Sequence, residues 1–209
     1  MIVKVLITIL LTTSCSTVYY KSWEFLGQEK RDLLKSKISD LNEDQAEAKE
    51  EFKSVLDKIR KEYDFKEDEL ESTYDQVSSD YDELNEEVED VSTQLAKVKS
   101  IAADLFEEWE DEASTFKNNK YKKQSLNKLY QSRKKFNQVA KTTEAVEQKM
   151  QKTLSRYREQ VLILKHNLNA KMIGQLKVEL KSLQSEMSNI ITNIEKSIGE
   201  SESFLKTLN

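Results

Sequence analysis

From Leu70 to Trp109 apolar residues recur in alternating steps of four and three: Leu70, Tyr74, Val77, Tyr81, Leu84, Val88, Val91, Leu95, Val98, Ala102, Leu105 and Trp109. That spacing is a heptad a/d seam. Nearly every position between these residues is charged or polar, so a helix carrying the run has one narrow apolar stripe and must bury it against other helices. Composition closes the other routes. The chain has no proline and only three glycines, Gly27, Gly174 and Gly199, which removes the usual punctuation of sheets and tight turns. At 37% apolar and 34% charged, 209 residues have little with which to fill a multilayer core. The expected fold class is all-α: long antiparallel helices forming an up-down bundle, with a two-armed coiled-coil hairpin as the alternative.

Further stripes supply the partners. Leu34, Ile38, Leu41, Ala48, Phe52, Val55, Ile59 and Tyr63 mark a first amphipathic helix. Its phase does not run into the Leu70 seam, because Lys66 or Glu67 falls where an apolar residue is wanted. A break between Tyr63 and Asp68 is expected, with Asp68 and Glu71 in capping-box spacing, or else a stutter in one unbroken helix. After Trp109 the pattern lapses, and Asn118-Asn119 is the best turn signal in the chain. A third stripe follows from Leu126 through Arg133, Phe136, Val146 and Tyr157 to Leu168, and a last one runs from Leu183 to Leu208. Between them Leu168, Met172, Leu176 and Leu180 step by fours only, which places a hinge or third turn near His166 to Gly174 or leaves the helix continuous. As a four-helix bundle the expected helices cover about 22–63, 69–116, 122–167 and 171–207, each roughly 60–70 Å long.

The first residues read as an address. Lys4 precedes the apolar run Val5-Leu6-Ile7-Thr8-Ile9-Leu10-Leu11, and Thr12-Thr13-Ser14 precede Cys15, the only cysteine. Residues 1–14 thus read as a secretory signal too short to span a bilayer, and Cys15 stands where a lipoprotein signal places the residue acylated through its thiol; an ordinary cleaved signal with Cys15 incidental and an apolar start left uncleaved as an anchor are the alternatives. Leu11 lies four residues before the cysteine, one further than usual. The aromatic residues Tyr19, Tyr20, Trp23 and Phe25 either seat segment 15–21 and its neighbours at a bilayer interface or pack the open end of the bundle. Residues 22–209 form one helical domain. Ser16 stands where an aspartate would be the inner-membrane retention cue. The expected location is therefore the cell envelope, on the periplasmic face of the outer membrane.

Charge is strongly partitioned. Asp40 to Glu112 holds 27 acidic and 8 basic residues, whereas Lys117 to Lys177 holds 16 basic and 3 acidic. An acidic helix, a turn and a basic helix are complementary, so apolar burial is expected to hold the pair and charge to choose it. The acidic neighbour and the export signal both speak against nucleic acid as the basic run's partner. One histidine and one cysteine give little with which to build nucleophilic triads or imidazole metal sites. His166 has no glutamate three residues before it, so the Glu-x-x-His pairs of di-iron bundles are missing. No catalytic residue, cofactor or metal is expected. The one dense carboxylate group, Asp104, Glu107, Glu108, Glu110, Asp111 and Glu112 around Trp109, sits where the helix dipole disfavours negative charge. Lys120, Lys122 and Lys123 across the turn are the expected counterions, and a weak divalent site or a basic partner are the alternatives. This candidate interaction tip would be distal if the bundle stood on its anchor.

The motifs Tyr19-Tyr20-Lys21-Ser22-Trp23-Glu24, Ala48-Lys49-Glu50-Glu51-Phe52, Leu105 to Glu112 and Gln160 to Ala170 give a resemblance over essentially the mature chain. The chain resembles a family of proteobacterial lipoproteins defined only as a domain of unknown function. The resemblance implies an exported helical protein and carries no activity or catalytic residue. It also implies a glycine-containing turn where this chain has Phe65-Lys66-Glu67-Asp68, which favours a turn there. The expected role is non-enzymatic: a membrane-tethered scaffold or interaction module, joined to a protein partner or to itself, or a regulator acting through the acidic tip.

Overall fold

The computed structural model describes the backbone of residues 15–61, 70–166 and 170–208, with side chains placed for residues 29–60, 71–166 and 176–208. Four helices make up the fold: α1 (Cys15–Lys61), α2 (Leu70–Thr115), α3 (Asn119–His166) and α4 (Ala170–Leu205). At 1.5 Å per residue, α1 to α3 are each about 70 Å long and α4 about 54 Å. α1 and α3 each pack on both α2 and α4, and neither diagonal pair touches. Cross-helix contacts fix the directions. Lys30 meets Glu108 and Lys58 meets Asp80 across α1 and α2, while Trp109 meets Ser125 and Ser92 meets Glu147 across α2 and α3. Thr142 meets Glu200 across α3 and α4, and Arg60 meets Ser188 across α1 and α4. Every neighbouring pair is antiparallel, so the chain is an up-down-up-down bundle and the two-armed hairpin is ruled out. The expected reversals near Tyr63 to Asp68 and after His166 fall on residues 62–69 and 167–169, outside the described residues.

The one described turn is built as the Asn118-Asn119 signal foretells, but it closes earlier than position 122. Asn118 is the N-cap of α3: its Oδ1 accepts from the Lys120 amide at 2.9 Å, and its carbonyl accepts from the Lys122 amide at 3.0 Å. Three residues, 116–118, therefore join α2 to α3.

The stripes meet in one continuous core. Leu34, Ile38, Phe52 and Val55 of α1, Val77, Leu84 and Val91 of α2, Met150 and Leu164 of α3, and Leu183, Met187 and Ile194 of α4 are all essentially inaccessible. Each such side chain contributes roughly 1.5–3 kcal/mol of burial. Leu56, Phe106 and Phe204 are also buried although they lie off the strict seam. A helix flanked by two neighbours buries a wider face than one in a coiled-coil pair, so positions beside a and d close as well. Phe106, Phe136 and Phe204 tie α2, α3 and α4 together near the α2–α3 turn, with ring centroids 5.7 and 5.8 Å apart. Gln45 fills the α1 slot between Leu41 and Ala48, and its Nε2 donates to the Leu41 carbonyl. Thr143 and Ser197, both buried, share a 2.9 Å hydroxyl contact between α3 and α4.

Charge does not choose partners as the partition implies. Closing a ring of four helices puts the acidic part of α1 against acidic α2. There Asp44 lies beside Asp90, Glu47 beside Glu87 and Glu51 beside Glu83, and burial first, then the facing carboxylate, raises Asp44, Glu87 and Glu51. Between the acidic stretch of α2 and the basic stretch of α3, Arg133–Glu110 is the one ion pair among the described residues. The other α2–α3 pair, Lys99–Glu144, has its charges the other way round.

Candidate functional site

An even number of antiparallel helices returns the chain to its starting end. The α2–α3 turn, the beginning of α1 and the end of α4 therefore share one end of the rod, and the segment Asp104 to Glu112 lies there. The expectation that this segment forms the end distal to Cys15 is corrected by the topology. The register that sets Lys30 beside Glu108 brings the end of α2 level with about position 23 of α1, so α1 continues some 12 Å past the turn to Cys15.

The counterions of the acidic segment also differ from those expected. Lys30 Nζ reaches Glu108 at 2.5 Å from α1, and Arg31 lies 5.7 Å from the centre of the Trp109 ring. Arg133 of α3 pairs with Glu110 at 2.9 Å, donates to the Phe106 carbonyl at 3.2 Å and covers the Phe106 ring. Arg133 stands in the apolar stripe of α3 because its stem packs there while its head reaches α2. Burial pushes the Glu112 carboxyl above its usual range, with Glu108 adding to the rise and Arg31 opposing it. Lys122 does bridge the turn, but to the Ser114 carbonyl at 3.3 Å, where it satisfies an acceptor at the C-terminal end of α2. Among the described residues Lys120 and Lys123 pair with no carboxylate. Trp109, half-buried, donates through Nε1 to Ser125 Oγ at 2.9 Å and so belongs to the packing of α2 on α3.

Asp104, Glu107 and Asp111 remain exposed on the outer face of α2. Among the described residues no three His, Cys, Asp or Glu side chains converge as metal ligands. His166 is exposed at the last turn of α3, at the opposite end of the rod. Cys15 is the first described residue of α1, and its side chain, like those of Tyr19, Tyr20, Trp23 and Phe25, lies outside the described residues, as does the signal segment 1–14. Among the described residues no helix is long and apolar enough to cross a membrane. Surface depressions are shallow and open. One of these, about 480 Å³, runs along the α2–α3 groove beside Phe106, Arg133 and Phe136.

Sequence reasoning missed Lys30, Arg31 and Arg133. The signal that finds them is topological: once four helices alternate, the start of α1 must stand beside the end of α2. No curated protein and no solved structure matches the chain. The profile of one family, described as a protein of unknown function, does match, over residues 19–208. The described bundle lies almost wholly within that match, and the chain belongs to this family, DUF2959.

Proposed function

We propose that the chain is a non-enzymatic, lipid-tethered rod of the cell envelope that acts as a scaffold or protein-interaction module. The observation that carries this reading is the disposition of its apolar surface: all four stripes are spent on one another along the rod, leaving a long polar exterior and one end that carries the N-terminus. Cys15 following an apolar run supports the tether, and the outer membrane's periplasmic face is the location in keeping with Ser16. In this reading Cys15 is acylated, no catalytic step or cofactor is assigned, and nucleic acid is not a partner. Partners meet the exterior of the rod or a second copy of it.

The acidic segment supports a narrower second role. Asp104, Glu107 and Asp111 are exposed and outside the ion pairs that engage Glu108 and Glu110, so a basic partner would meet those three at the anchored end. The test has two parts. Fractionation of cells expressing wild type and Cys15→Ser is expected to move the variant out of the membrane fraction, and equal membrane association would remove the tether. Crosslinking in intact cells should then recover a partner that Glu107→Lys with Asp111→Lys loses. Recovery of only the chain itself would leave self-assembly as the role.

A further inference from the structure

The α2–α3 turn combines three features that the packing of the bundle does not use. From Lys117 to Lys141 there are nine basic residues and no acidic one. Of these, Arg133 is taken up by Glu110 and Lys122 by a backbone carbonyl, while Lys117, Lys120 and Lys123 are exposed and have no ion pair among the described residues. Of the carboxylates just behind the turn, Glu108 holds Lys30, Glu110 holds Arg133 and Glu112 faces Arg31, while Asp104, Glu107 and Asp111 stay exposed on the outer face of α2. Lys117, Lys120 and Lys123 thus keep positive charge that no carboxylate among the described residues takes up. Phe116 and Tyr121 are 46% and 58% exposed among these lysines.

We propose that this turn is a membrane contact in which Phe116, Lys117, Lys120, Tyr121 and Lys123 seat on anionic phospholipid headgroups. Polybasic segments are drawn to anionic leaflets over about a Debye length, and aromatic rings favour the interface. The topology brings the turn to the end where Cys15 lies, about 12 Å further along α1. A tilt of the rod about the tethered end brings the lysines within that range. The contact rests on the tethered reading for where the bilayer stands. It gives the anchored protein a second point of attachment and hence an orientation: the α2–α3 side faces the membrane.

The experiment is flotation of the full chain carrying Cys15→Ser, so that no acyl chain contributes, with phosphatidylcholine vesicles containing or lacking phosphatidylglycerol. The N-terminal residues, with Lys4 and Lys21 flanking the apolar run, contribute the same background in every variant, so the readout is the part of the preference for anionic vesicles that the turn substitutions remove. The expected result is a preference of roughly a hundredfold at low salt that collapses in about 0.5 M salt. Lys117→Glu, Lys120→Glu and Lys123→Glu together should reduce it to a few-fold, with the helical circular dichroism retained. The charge-matched set Lys149→Glu, Lys152→Glu and Lys165→Glu, further along α3, should leave most of it. Absence of the preference, its survival in the turn variant, or equal loss in both variants overturns the proposal. So does loss of the preference alongside binding of duplex DNA through the same lysines. Membrane release of Cys15→Ser in cells tests the tether separately, so either idea can fail while the other stands.

Discussion

Reversing one member of each like-charge rung between α1 and α2 should stabilise the protein. Asp44–Asp90, Glu47–Glu87 and Glu51–Glu83 each join one half-buried carboxylate to one exposed one. The exposed members are the ones to change: Asp90→Lys, Glu47→Lys and Glu83→Lys. An exposed attractive pair contributes ~0.2–1 kcal/mol and a repulsive one costs a similar amount, so each reversal is worth about 0.5–1.5 kcal/mol and the triple about 2–4 kcal/mol. For a chain of this length that raises the melting temperature by roughly 5–15 °C. Acid offers a second readout. Burial first, and the facing carboxylates next, push Asp44, Glu51 and Glu87 above their ordinary values of 3.8, 4.5 and 4.5. Through the window above those values the folded chain holds more protons than the unfolded chain, so stability falls as pH rises and is recovered on acidification. Glu50, held low by Lys53 and Lys49, pulls weakly the other way. Thermal melts followed by circular dichroism at low salt, between about pH 4.5 and 7, should show wild type gaining on acidification and the triple variant gaining much less. An unchanged or lowered melting temperature in the variant, or an undiminished acid response, would refute the account of this seam.

Three further outcomes are expected from denaturant unfolding. Val91→Asp, at a fully buried seam position, should cost several kcal/mol through an unpaired buried charge, and a wild-type midpoint would mean that the seam is not the core. Asn118→Ala should cost about 1 kcal/mol by leaving the Lys120 amide without its cap, whereas Asn118→Gly should cost only a few tenths. Thr143→Val should cost roughly 1–3 kcal/mol by leaving the buried Ser197 hydroxyl without its Thr143 partner, Ser197→Ala should cost less because Thr143 Oγ1 still donates to the Val139 carbonyl, and the double variant should cost less than their sum. Strict additivity would place the two hydroxyls out of contact.

Much of this architecture is legible in residue spacing because a narrow apolar stripe on a charged helix has one use. Leu34, Phe52, Val77, Val91, Met150 and Met187 are read as core and are core. The helix ends at Thr115, Asn119 and Leu205 fall within about three residues of those expected. Phe106 and Phe204 escape such a reading because it assigns each helix a single seam, while a helix in a ring of four faces two neighbours. The counterions of Glu108 and Glu110 escape it for a related reason. Sequence proximity favours Lys120, Lys122 and Lys123, but Lys122 is taken up by the Ser114 carbonyl, and Lys120 and Lys123 pair with no carboxylate among the described residues. Lys30 lies 78 residues from Glu108 and becomes its partner only through the order of the helices. That order also decides which end of the rod a segment occupies.

The acidic seam ranks the forces that assemble the bundle. Three repulsive rungs oppose α1 and α2 by about 1–3 kcal/mol in total. Beneath them Leu41, Ala48, Phe52, Leu84, Val88 and Val91 are removed from water, at roughly 1.5–3 kcal/mol for each of the larger side chains. Apolar burial wins by several-fold, so charge cannot veto a pairing that the stripes and short connections demand. The acidic part of α1 and the basic half of α3 stand on opposite corners of the ring, where neither can neutralise the other. A bundle assembled this way keeps its charge partition on the outside, negative along the α1–α2 side and positive at the α2–α3 turn. A partner recognised by charge therefore meets two distinct surfaces. The rod presents the positive one at the end from which Cys15 extends.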